Sequence, residues 1–112
     1  GRTLEVILGT LMLEASALLD LVDARQPDAL QLAAQLATYG KLVDEADAYA
    51  AAHPDEAAKW GSLTNVRNYS KGFLAASKVI NRKLTEPTPA TASEHEDVVN
   101  QYNYLVDNYN RH

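Results

Sequence analysis

Leu4-Glu5-Val6-Ile7-Leu8-Gly9-Thr10-Leu11-Met12-Leu13-Glu14-Ala15-Ser16-Ala17-Leu18-Leu19-Asp20-Leu21-Val22-Asp23, closed by Ala24-Arg25-Gln26-Pro27-Asp28, is the stretch that decides the fold. Leu4, Leu8, Leu11, Ala15, Leu18 and Val22 recur with the 4-3 spacing that lays a stripe along one helix face, not the alternation of a strand. Val6, Ile7, Met12, Leu13, Leu19 and Leu21 widen that stripe. Such a broad apolar surface predicts a helix over 3–24 that contacts several neighbours, the central element, with an excess face for a further partner. The turn at Pro27 ends it, because proline cannot donate to a preceding turn and biases Gln26 away from helical angles.

The pattern then repeats outward. A second helix is expected over 28–53, with Pro27-Asp28 at its start and Leu32, Leu36, Tyr39, Val43, Ala46 and Ala50 on its inner face. Gly40 costs it about 1 kcal/mol of propensity without breaking it. His53-Pro54-Asp55-Glu56 stops and restarts the chain, with two carboxylates where a helix dipole favours them. A third helix over 55–84 buries Leu63, Val66, Phe73, Ala76 or Ser77, and Ile80, with a kink or a separate turn at Trp60-Gly61-Ser62. Trp60 reads as a core plug. Thr85 to Ser93, with Pro87 and Pro89, reads as an extended connector. The spacing of Ser93 and Glu96 suggests a capping box opening a fourth helix over 94–110, lined by Val98, Val99, Tyr102, Leu105, Val106 and Tyr109. The expected fold is therefore all-α: one domain, residues 1–112, an antiparallel bundle of four helices with the third kinked or broken near Gly61.

Bulk properties narrow the function. A chain of 112 residues with 46% hydrophobic and 22% charged residues has the composition of an ordinary soluble globular domain. Its net charge of -5 offers no basic field for nucleic acid or anionic lipid, unless Lys59, Arg67, Lys71, Lys78, Arg82 and Lys83 gather on one face. A solvated outer helix face is the simpler reading of those six. The absence of cysteine rules out a disulfide framework, a thiolate metal site and a cysteine nucleophile. Beginning at Gly1 without methionine or a charged leader, the chain reads as a fragment of a longer protein.

Constellations for chemistry are sparse. None of His53, His95 or His112 follows a glutamate by three, as a di-metal bundle requires, and no His-Glu-x-x-His pair or phosphate-binding glycine loop is present. Asp20/Asp23 and Asp44/Asp47 each share a turn but, across a hairpin at Pro27, lie roughly 15 to 20 Å apart at about 1.5 Å per residue. Catalytic residues, metal ligands and cofactors are accordingly expected to be none.

Glu14 stands out, on the stripe Ile7, Leu11, Glu14, Leu18, Leu21 where an apolar residue would otherwise sit. It either reaches solvent at the rim or is partly buried in a polar cluster. Counting from each turn puts Glu14, Asp44, Arg67 and Asp107 at similar heights, and a buried carboxylate needs a cation or a donor, so Arg67 is the first-choice partner in a cluster Glu14, Arg67, Asp107. The Tyr- and Asn-rich run Asn100 to Asn110 consists of mediocre helix formers that suit recognition surfaces, and Tyr104, off the inner face, is the candidate surface contact.

Leu11-Met12-Leu13-Glu14-Ala15 with Leu21-Val22-Asp23, Asp44-Glu45-Ala46-Asp47-Ala48-Tyr49 running to His53-Pro54, and Val98-Val99 with Tyr102-Asn103 and Leu105-Val106-Asp107 together resemble the C-terminal part of the YiiG-like bacterial lipoproteins. That resemblance implies an all-helical, non-enzymatic protein of a Gram-negative bacterium, exported to the periplasm and lipid-anchored at the outer membrane through an upstream cysteine. Together these readings point to a non-catalytic helical binding or structural module of the cell envelope. The partner would be another protein, the N-terminal part of the same protein, or a second copy in a homodimer. The alternative is a small-molecule or metal-binding helical domain built around Glu14 and Arg67.

Overall fold

The computed structural model describes residues 2–112 and contains five helices and, among the described residues, no strand. They are α1 (Leu4–Val22), α2 (Ala29–Ala52), α3 (Pro54–Ala58), α4 (Leu63–Lys83) and α5 (Ala92–Asn110). Helices α1 and α2 start where a side chain caps them. The Thr3 hydroxyl accepts from the Val6 amide, and the Asp28 carboxylate accepts from the Leu30 and Gln31 amides at 2.9 and 3.1 Å, satisfying first-turn donors with no partner inside the helix. Pro27 therefore precedes the second helix, and Asp28 caps it. Pro54 does occupy the first turn of α3.

The expected third helix is two. α3 ends at Ala58, and Trp60-Gly61-Ser62 form a separate turn before α4, so the break falls where glycine next to a bulky indole was expected to bend the chain. The capping box lies two residues earlier than expected. Thr91 and Glu94 exchange side-chain and backbone bonds at 3.1 and 2.9 Å, and α5 begins at Ala92. Thr91 takes the role because its extended backbone, φ -81° and ψ 163°, lets the hydroxyl face the first turn.

The stripes meet as the spacing requires. Leu4, Leu8, Leu11, Ala15, Leu18 and Val22 of α1 are buried, as are Leu32, Leu36, Tyr39, Val43, Ala46 and Ala50 of α2. Leu63, Val66, Phe73, Ala76 and Ile80 of α4 join them with Val98 and Leu105 of α5. Ser77 is buried as well, so both alternatives at that turn face inward. Leu42 completes the α2 face. Tyr39 meets Phe73 edge-on, with ring centroids 5.6 Å apart and planes at 90°.

Helix α1 is not the central element. It packs mainly on α2, whereas α2 also carries α4, and α4 in turn carries α5 most extensively. The six residues that broadened its apolar stripe divide: Ile7 is fully buried, Met12, Leu19 and Leu21 are partly buried against the core, and Val6 is 52% and Leu13 74% exposed. Part of the breadth therefore serves the contacts of α1 with α2, α5 and α4, and Val6 and Leu13 are the part left at the surface. Where α4 meets α5, the Gln101 side-chain amide lies over Gly72 in space that a Cβ would occupy.

Candidate functional site

The polar residues singled out in the sequence are distributed, not gathered. Glu14 is half-buried and takes its hydrogen bond from Gln35, whose Nε2 donates to the carboxylate at 2.5 Å and to the Glu14 carbonyl at 3.2 Å. Arg67 pairs instead with Asp47, Nε to Oδ1 at 2.7 Å. Asp107 is exposed. The first-choice Glu14 to Arg67 contact is therefore replaced by two separate pairs. Similar height along the helices did not specify azimuth: Glu14 faces α2 on the flank where Gln35 lies, while Arg67 faces α2 from α4.

Asp47, considered in the sequence only as the turn-mate of Asp44, has a role of its own in the structure. It receives Arg67 and also Lys71, Nζ to Oδ2 at 2.9 Å, forming a three-membered charge cluster between α2 and α4. Partial burial pushes its carboxyl up, but the bonds from Lys71 and Arg67 outweigh it and hold the pKa below the ordinary value. The signal was available, since Asp47 adjoins buried Ala46 and so sits at the edge of the α2 stripe. Two of the other cations are matched by carboxylates: Lys83 bonds Glu94 at 2.7 Å and Arg82 pairs with Glu86 at 3.6 Å. Asp20, Asp23 and Asp44 are exposed, consistent with solvated helix faces.

Two clasps tie helix ends together. Glu56, read from sequence as a first-turn acid of its own helix, accepts the Leu4 amide at 3.1 Å and the Tyr49 hydroxyl at 2.7 Å. It thus satisfies an orphan donor of α1 from across the molecule. The Tyr49 bond, followed by that of Leu4, holds its carboxyl below the usual range, while the same bond raises the Tyr49 phenol. His53 stacks on Tyr49 at 3.9 Å. At the other clasp the Ser62 hydroxyl donates to the Asn108 carbonyl at 2.7 Å, and Asn65 Nδ2 donates to Asn108 Oδ1 at 3.2 Å, binding the end of α5 to the start of α4.

Trp60 packs against the core but is only half-buried; His112 stacks on it at 3.9 Å and Tyr109 lies at 6.1 Å. It borders a surface depression of about 680 Å³ formed with Thr3, Glu5, His53, Glu56 and Lys59. Tyr104 is 48% exposed and leans on Tyr69 with centroids 5.3 Å apart, leaving much of its ring at the surface. Among the described residues no three His, Asp or Glu side chains converge as metal ligands would, and no helix is long and apolar enough to cross a membrane.

What the arrangement offers chemically is a filled apolar interior, paired charges at its rim, and uncharged side chains standing out from the surface at Val6, Leu13, Leu30 and Tyr104. Compared with known proteins, this chain matches no family model, no curated protein and no solved structure.

Proposed function

We propose that this chain is a non-catalytic binding or structural module of a bacterial cell-envelope lipoprotein, in which the four long helices form an antiparallel bundle that acts through its surface. The observation that carries the reading is the division of its polar groups: the strongest pairs join helices to one another, whereas large apolar side chains, Leu13 at 74% exposure foremost, stand outside. An exposed leucine is more useful for contact than for chemistry.

The antiparallel arrangement is supported by pairs that run in opposite order along each neighbouring couple. Arg2 with Glu45 and Glu14 with Gln35 link α1 to α2; Asp47 with Arg67 and Tyr39 with Phe73 link α2 to α4; Asn65 with Asn108 and Lys83 with Glu94 link α4 to α5. The envelope placement is supported by the resemblance of the segments around Leu11 to Ala15, Asp44 to Tyr49 and Val98 to Asp107 to the YiiG-like lipoproteins. Acyl-chain labelling and membrane fractionation of the native full-length protein test it. Label and envelope recovery are expected; an unlabelled protein confined to the cytosolic fraction refutes the reading.

A further inference from the structure

One carboxylate from α3 holds the first turn of α1. Glu56 stands on a helix of five residues, none of them buried, whose N-cap residue His53 makes no side-chain capping bond. Its Oε1 accepts the Leu4 amide at 3.1 Å and its Oε2 accepts the Tyr49 hydroxyl at 2.7 Å, so α1, α2 and α3 meet on the two oxygens of a single side chain. Leu4 is the first helical residue of α1, and its amide has no acceptor within its own helix. A negative charge set there also complements the positive end of the helix dipole. The turn so held carries Leu4 and Ile7, which at 0% and 1% exposure are among the most deeply buried side chains of the core.

The charge is what allows both bonds at once. An ionised carboxylate only accepts, and each partner here presents a proton to it. A proton on Oε1 would set a donor against the Leu4 N–H. A proton on Oε2 would oblige the Tyr49 hydroxyl to turn round and would leave Leu4 a neutral, weaker acceptor. The Tyr49 bond first, and then that of Leu4, hold the Glu56 carboxyl below the usual range against the opposing effect of burial, and His53 and Lys59 pull in the same direction as the bonds. The titratable groups around it are Glu5 from α1, Tyr49 from α2, and His53, Asp55 and Lys59 from α3 and its two ends. Arg2 is directed to Glu45 instead, at 3.2 Å.

We infer that Glu56 is an acid-released latch: charged, it pins the first turn of α1 to the corner of α2 and α3, and on taking up a proton it lets that turn open while the rest of the bundle stays folded. Because the folded state favours the ionised form, the hold is complete above the ordinary carboxyl range and is lost as pH falls through the lower value of the folded protein. Helices α2, α4 and α5 keep their own ties, through the buried stripes and through the pairs of Asp47 with Arg67 and Lys71 and of Lys83 with Glu94. The opening is therefore local, and what it uncovers is the apolar surface of Leu4 and Ile7. The latch does not depend on the envelope reading of the chain.

Backbone amide hydrogen exchange, followed by NMR from about pH 7 to about pH 2 and corrected for the intrinsic pH dependence of exchange, tests it. The reporters are the Ile7 amide, bonded to the Thr3 carbonyl at 3.0 Å, and the Leu8 amide next to it, with the amides of Ala15 to Leu18 in the middle of α1 as reference. At about pH 7, Glu56→Gln should lower protection at Ile7 and Leu8 about tenfold or more, the effect of losing hydrogen bonds to a charged group, and leave the reference unchanged. The unmodified protein should show the same loss as a step on acidification, and Glu56→Gln should show no such step. Tyr49→Phe should keep the step but move its midpoint up towards the ordinary carboxyl range, because the Tyr49 bond is the larger of the two influences on Glu56. Protection in Glu56→Gln equal to that of the unmodified protein overturns the inference, as does an acid step that survives this substitution and so belongs to Glu5, Glu45 or Asp55. A step that runs equally through α2 and α4 also overturns it, being global unfolding and not a released turn. The acid step of the unmodified chain and its shift in Tyr49→Phe keep the test decisive should Glu56→Gln fail to fold.

Discussion

Removing the Tyr39 hydroxyl should stabilise the protein. Tyr39 is fully buried, its ring sits edge-on to Phe73, and its oxygen makes no hydrogen bond among the described residues. Burial drives its phenol well above the ordinary range, and the Ser70 side chain opposes this only in part. Tyr39→Phe keeps the ring and its contact with Phe73 while removing a buried polar atom whose desolvation costs about 1–3 kcal/mol when unbonded. Allowing for the lost oxygen contacts, the gain is about 1 kcal/mol, or roughly 4 °C in Tm for a domain of this size. Urea and thermal unfolding of the two proteins read it, and the denaturant slope should stay the same. Ser77 offers an internal comparison, being fully buried and likewise unbonded, so Ser77→Ala should gain more than Ser70→Ala, whose hydroxyl has a partner. A loss of about 1 kcal/mol in Tyr39→Phe would mean that the hydroxyl is satisfied, and the account of the α2–α4 seam would be refuted.

Two further outcomes follow from the packing and charge described above. Gly40→Ala should raise stability by about 0.5–1 kcal/mol, because its Cβ would meet Leu74 at an ordinary 3.7 Å, whereas Gly72→Ala should gain less or lose, because Gln101 must be displaced; chemical denaturation separates the two. Glu94 is held down at about 2 by the bond from Lys83 and then that of the Thr91 amide, so its contribution is present above the ordinary carboxyl pKa and is lost as pH falls towards about 2. Melting curves of the unmodified protein and Glu94→Gln should therefore differ at neutral pH and converge near pH 2, and a difference independent of pH would contradict the assignment.

The helical class and the inward residues were legible because a stripe is a one-dimensional property of spacing. Leu4 to Val22 and Leu32 to Ala50 follow a period that buries the same side of a helix whatever it packs against, and every one of those stripe positions lies inside. Proline likewise acts through its own backbone restriction, which is why the interruptions at Pro27 and Pro54 appear in the structure. Boundaries were less secure, since Thr91 and Ser93 both precede a glutamate by three and only backbone geometry selects between them.

Partnership between helices was not written in the spacing. Glu14 and Arg67 share a height but engage Gln35 and Asp47, because which flank of a helix meets which neighbour depends on how four cylinders are placed around one another. The same holds for Glu56, whose bond to the Leu4 amide joins residues 52 positions apart. The amino-acid order by itself determined that the chain would be helical and which side of α1, α2 and α4 would leave water, whereas on α5 only Val98 and Leu105 of the six expected inner residues are fully buried. The tertiary structure alone decided which polar groups found one another, and that the surplus apolar side chains of α1 stand outside, because pairing is set by distances in three dimensions that periodicity along one axis does not contain.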